Sequence, residues 1–101
     1  AGALPPPQRA SLLSRPDVSV LPQQYLAVLE QIELSGWDRV EWKHGYTLLH
    51  WSAKKGHADL CRYLVRLGAQ VNDLDDNGKT ALDVARAAGR NRVAEVLQEM
   101  Q

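Results

Sequence analysis

A single cysteine, Cys61, leaves the sequence without any possible internal disulfide. That excludes the cysteine-stapled secreted domains and makes a reducing, intracellular compartment, cytoplasmic or nuclear, the expectation. Excess charge of one sign is also missing. Twelve Lys and Arg balance twelve Asp and Glu, so no whole-chain field draws the protein to nucleic acid or to an anionic membrane. Long apolar runs are lacking too: charges such as Arg62 and Arg66 interrupt them well short of the roughly 20 residues that a membrane-spanning helix needs. There is no Cys-x-x-Cys pair, no glycine-rich phosphate loop after a strand and no Gly-x-Ser-x-Gly nucleophile elbow. Neither a catalytic centre nor a cofactor site has its motif here, and no cofactor is expected.

What is present divides along the chain. A length of 101 residues, 45% of them apolar, allows one compact domain with one core. Residues 1–20 hold Pro5, Pro6, Pro7 and Pro16 among Ser, Gln and Ala, and prolines remove backbone donors and fix φ, so this stretch reads as a linker or arm. Arg9 and Arg15 precede the first acid, Asp17, a charge order shared with organelle transit peptides. The prolines, however, break the amphipathic helix that such a peptide needs. The chain begins with Ala1 rather than Met, and is expected to be a piece of a longer or processed protein.

The second half of the sequence repeats itself. Gly45 matches Gly78, Thr47 matches Thr80, Leu49 matches Leu82, Gly56 matches Gly89 and Leu64 matches Leu97, each pair 33 apart (78 − 45, 80 − 47 and so on). A fixed period of this size marks an architecture of stacked repeats. Each unit reads as a helix pair: a Thr able to cap, a short small-residue helix, a Gly stop, then a second amphipathic helix. In the first unit Leu49 and Ala53 fall on one face, and Asp59 to Leu67 puts Leu60, Leu64 and Leu67 on a buried stripe before Gly68. In the second, Leu82 and Ala85 precede the stop at Gly89, and Val93, Val96, Leu97 and Met100 form the stripe. Between the units the Asn-, Asp- and Gly-rich run 71–78 predicts a tight turn.

The segment Gly45-Tyr46-Thr47-Leu48-Leu49-His50-Trp51-Ser52-Ala53-Lys54-Lys55-Gly56-His57 resembles the ankyrin-repeat pattern G-x-T-P-L-H-x-A-A-x-x-G-H, and 64–72 is similar to its continuation L-L-x-x-G-A-D-V-N. The resemblance implies an all-α fold, a solenoid of stacked helix-turn-helix units with short extended fingers. Two departures stand out: Leu48 and Ala81 replace a proline at the first helical turn, and Asp83 replaces the histidine that bonds to the neighbouring repeat's loop. Upstream, Pro22 to Leu34 predicts an amphipathic helix with Leu26, Leu29 and Ile32 on one face, the second helix of a degenerate first repeat. Gly36 is expected to end it, and Trp37 to His44 to form a shortened finger. The expected divisions are an arm at 1–20, then a degenerate N-terminal repeat at 21–44, a complete repeat at 45–77 and a capping repeat at 78–101. Arg86, Arg90, Arg92, Glu95, Gln98, Glu99 and Gln101 give that last unit the polar outer face a terminal repeat requires.

His44, His50, His57 and Cys61 raise a metal reading, but their spacing does not fit one, and the resemblance gives His50 a structural role between Thr47 and the next loop. No metal is expected. Asp73, Asp75 and Asp76 have the composition of an acidic turn rather than of paired catalytic acids. Structural roles are expected for Thr47, Leu49, His50, Gly56, Leu64 and Gly68 and for Thr80, Leu82, Gly89 and Leu97. Trp42 and Trp51 are expected to pack the short stack with an edge exposed, while Trp37 flanks the irregular finger. The resemblance places partner contacts on finger tips and the inner helix face, that is, on Lys43, His44, Tyr46, Lys54, Lys55, Asp76, Asn77 and Lys79, with Ala87 and Ala88 beside them. The expected function is non-catalytic binding of a protein or peptide bearing acidic and apolar groups, by a domain that is monomeric in isolation. The alternative is a regulatory or targeting domain acting within a larger parent.

Overall fold

The computed structural model describes residues 16–100. In these, helix α1 (Gln23–Ser35) is followed by two 3₁₀ turns, Trp37–Arg39 and Lys43–Gly45, then by α2 (Leu48–Lys55), α3 (Ala58–Arg66), α4 (Ala81–Ala87) and α5 (Asn91–Glu99). No strand occurs among the described residues. Helix α2 pairs with α3 and α4 with α5, and the two pairs stack, α2 on α4 and α3 on α5. Helix α1 packs on α2 and on the first 3₁₀ turn.

The inner helices begin where a threonine closes a capping box. Thr47 Oγ1 accepts the His50 N–H at 3.2 Å, and His50 Nδ1 accepts the Thr47 N–H at 3.2 Å. Thr80 and Asp83 repeat the arrangement, with both bonds at 3.1 Å. Two otherwise orphaned donors are satisfied at each helix start. Helix α2 ends on Gly56, whose left-handed φ of 83° costs a glycine nothing.

Leu29 and Ile32 of α1, Leu48, Leu49 and Ala53 of α2, Leu60, Cys61 and Leu64 of α3, and Leu82, Ala85, Val93 and Leu97 beyond them share one buried cluster. Each fully buried leucine contributes about 1.5–3 kcal/mol relative to exposure. Leu67 and Met100, expected in the buried stripes, are only half-buried, because both sit just past the last helical turn where the stack thins.

Trp37, expected to flank the irregular finger, is 4% exposed, meets Trp42 in a tilted ring contact at 4.8 Å between centroids, and lies near Gly68 just past the end of α3. The arm expected at 1–20 falls mostly on residues 1–15, outside the described residues. Of the remainder, Val18 packs on the core and leads to buried Leu21.

A candidate partner-binding groove between two fingers

The site is built from backbone contacts that fix one finger against the next. Asp75 Oδ1 accepts the N–H groups of Asn77 (2.9 Å) and Lys79 (3.0 Å), folding the acidic run into a closed turn. This turn lies against the preceding finger: Asp76 N–H donates to the His44 carbonyl at 2.8 Å, and the His44 ring meets the Asp76 carboxylate at 3.0 Å. Gly45, at φ 65°, lies so close that a Cβ there would stand 2.5 Å from the Leu74 carbonyl oxygen. Deeper in, His50 Nε2 bonds the Lys79 carbonyl at 2.8 Å. Since that carbonyl can only accept, Nε2 carries the proton, and Nδ1 is left to accept from Thr47. At the opposite end of α2, Arg90 Nε donates to the Lys54 carbonyl at 3.0 Å.

These contacts leave a groove of about 390 Å³ between the fingers and the inner helices. One wall is Tyr46 with Lys54, the floor is Val84, Ala87 and Ala88, and the rim is Asp75, Asn77, Lys79 and Asp83. Partial burial, with the Tyr25 and Asp75 charges adding, holds the Tyr46 phenol above its ordinary value, so it is a neutral hydroxyl at physiological pH. Hydrogen bonding from the Thr80 backbone holds the Asp83 carboxyl below its ordinary value, and Lys79 and Arg86 favour the same charged form.

Of the eight residues expected to contact a partner, Tyr46, Lys54, Asn77 and Lys79 line this groove, and His44 and Asp76 meet as an exposed pair at the finger tips. Lys43 is exposed in the second 3₁₀ turn beside them. Lys55 is exposed on the last turn of α2, where its charge bears on His57 rather than on the groove. Ala87 and Ala88 lie in the floor. Asp75, Asp83 and Val84 were missed. The 33-residue register contained the signal for the last two, since 83 aligns with His50 and 84 with Trp51.

Thr47, Leu49, His50 and Leu64 are buried, as are Leu82 and Leu97, while Thr80 caps α4. Gly68 and Gly89 take positive φ where α3 and α4 end. Trp51 is half-buried between Tyr25, at 4.9 Å, and His57, at 5.6 Å, and Trp42 is half-buried on Trp37. The Cys61 thiol is buried, which pushes its pKa up to about 12 and makes it a poor ligand or nucleophile. Among the described residues no three His, Cys, Asp or Glu side chains converge as a metal site.

Stacked antiparallel helix pairs joined by finger loops define a helical-repeat solenoid. Residues 22–101 match the pattern described as ankyrin repeats (3 copies), and the chain belongs to the ankyrin-repeat family. It is 49% identical over 51 residues to ARF GTPase-activating protein Git of Drosophila melanogaster, covering 50% of this chain and 7% of that protein. It is 40% identical over 55 residues to mouse protein fem-1 homolog A-like, covering 54% and 8%. With human 26S proteasome non-ATPase regulatory subunit 10 it shares 47% over 32 residues, covering 32% and 14%. The chain thus spans less than a tenth of the length of the first two. Ankyrin repeats are generally protein–protein interaction modules without enzymatic activity. No helix among the described residues is long and apolar enough to cross a membrane.

Proposed function

We propose that this chain is a non-catalytic module that binds a protein or peptide on its concave side, through the groove beneath the finger tips. The observation that carries this reading is the groove itself: an apolar floor of Val84, Ala87 and Ala88 under a charged rim, on a framework whose backbone bonds hold both walls. Small floor residues and an aromatic wall provide desolvated contact area, and the lysines provide steering. Tyr46, Lys54, Asn77 and Lys79 act in the groove, Lys43, His44 and Asp76 at the finger tips, and Lys55 at the outer rim. The partner carries apolar and acidic groups, and nucleic acid or membrane is not the target. The isolated domain is monomeric and works inside the cell. Because the chain spans a small part of its relatives, the groove's occupant can equally belong to the same polypeptide, which makes the module regulatory.

Association kinetics test the reading. Reversing Lys54 and Lys55 to Glu is expected to slow association and alter its salt dependence, whereas Tyr46→Ala mainly hastens dissociation. Folded variants that bind a genuine partner with unchanged rates would move the site to the convex face or to the proline-rich arm.

A further inference from the structure

The finger between the two complete helix pairs turns at Asn77-Gly78, the one Asn-Gly step in the sequence. In such a pair the side-chain amide can reach the next backbone nitrogen with least hindrance, because glycine has no Cβ to block the approach. Both residues are exposed, and a Cβ placed on Gly78 would meet nothing within 4 Å. The Asn77 side-chain amide is held by no hydrogen bond among the described residues. The other asparagines lack this opening: Asn72 precedes Asp73, and Asn91 precedes Arg92 at the start of α5.

The folded finger restrains the same nitrogen. Gly78 N–H donates to the Asp75 carbonyl at 2.9 Å, and Asp75 Oδ1 accepts the N–H groups of Asn77 and Lys79. The Lys79 carbonyl in turn accepts from Asp75 N–H at 3.0 Å and from His50 Nε2 at 2.8 Å. A nitrogen whose proton is shared with a carbonyl is a poor nucleophile, and the closed turn fixes the backbone dihedrals that an attack has to change. Gly78 is therefore released only when the finger opens locally.

We infer that Asn77 is a site of spontaneous deamidation whose rate is set by the opening of this finger. Solvent hydroxide takes the Gly78 amide proton, and the nitrogen attacks Asn77 Cγ. A C–N bond forms to close a cyclic imide, and the Cγ–Nδ2 bond breaks as ammonia leaves with a proton from water. Water then opens the imide. Cleavage at Cγ gives aspartate, whereas cleavage at the backbone carbonyl gives isoaspartate, in which the main chain runs through the side chain and gains a methylene. Either product places a new carboxylate on the groove rim, where Asp75 and Asp83 balance Lys54 and Lys79, and tips that balance negative. Isoaspartate also lengthens the chain between Asp75 and Lys79, whose mutual bonds depend on its length. The modification stands apart from the groove reading, and only its effect on a partner rests on that reading.

The test is a time course of the 101-residue chain in mildly alkaline buffer at body temperature, followed by peptide mapping with fragmentation that separates aspartate from isoaspartate. A synthetic peptide of residues 70–82, Gly78→Ala and Asp75→Ala run in parallel, with circular dichroism melting to confirm that both variants fold. Urea well below the unfolding midpoint opens the finger without any substitution. The expected conversion falls on Asn77 ahead of Asn72 and Asn91, and is several-fold slower than in the peptide. Gly78→Ala slows it further, while Asp75→Ala and low urea each raise it toward the peptide's rate. Asn72 or Asn91 reacting as fast as Asn77, or no conversion at Asn77 over the period in which the peptide reacts, removes the site. Conversion at the peptide's own rate, or a rate moved neither by Asp75→Ala nor by low urea, overturns control by the finger.

Discussion

At the scale of single residues, His50 joins the most interactions. Its ring closes the α2 capping box on one side and holds the Lys79 carbonyl of the next finger on the other, so one buried side chain links helix start to repeat stacking. Thr47→Ala removes the cap and one partner of that ring, and is expected to cost about 1–2 kcal/mol in urea denaturation, with Thr47→Ser recovering most of it. His57 offers a pH test. Burial against Trp51, with the Arg90 and Lys55 charges nearby, holds its pKa below the ordinary 6.5. The unfolded chain therefore binds the proton more readily than the folded one. The neutral ring's contribution is full above pH 6.5 and declines as pH falls from there toward the lower folded value. Melting temperatures compared between parent and His57→Gln should converge as the pH falls through that interval. A difference that is constant with pH would remove His57 from the account. His50 was legible as a bridge through the resemblance, whereas the environment of His57 depends on an arginine 33 residues away.

At the scale of elements, caps and apolar stripes explain the helices, and close approach explains the fingers. Leu64 is fully buried in α3, and Leu64→Ala is expected to cost about 2–5 kcal/mol by leaving a cavity that a short stack cannot easily close. An unshifted denaturation midpoint would show that α3 does not pack in this register. Gly45 and Gly78 make a matched pair, both at positive φ, yet only Gly45 faces a neighbouring finger, while nothing approaches within 4 Å of a Cβ at Gly78. Gly78→Ala should therefore cost only the backbone term, about 1–2 kcal/mol, and Gly45→Ala distinctly more, because it also drives into the Leu74 carbonyl. Equal losses would show that the fingers do not touch. The five helices were legible because apolar stripes are local, while α2 to α5 also recur at the repeat period and threonine caps start α2 and α4. The burial of Trp37 was not, since an aromatic in an irregular segment carries no periodicity to tell inside from outside.

At the scale of the whole molecule, the stack has unlike ends. Asp83 stands where His50 bonds the next finger, and a carboxylate cannot donate to a carbonyl; Arg86 is exposed where Ala53, its counterpart, is buried between α2 and α4. These two exchanges support the proposal that α4 and α5 form a capping repeat. At the other end the chain at 16–21 closes over the core, so Val18→Ser is expected to lower the melting temperature measurably, whereas Val20→Ser, 47% exposed, should not. Equal effects at the two positions would show that the segment is not docked. The sequence by itself determined the period, the helix pairs, the stops between them and the identity of the finger residues, because each depends on neighbours within a turn or two or on comparison at a constant spacing. Only the tertiary structure decided that Lys54 and Tyr46 face Val84, Ala87 and Ala88 across one groove, that Asp75 and Asp83 accept from backbone N–H groups, and that Lys55 is exposed outside the groove lining. Those facts depend on how far one repeat is translated and turned relative to the next, a quantity set by the packing of Leu49, Ala53, Leu82 and Ala85 together and by no one of them alone.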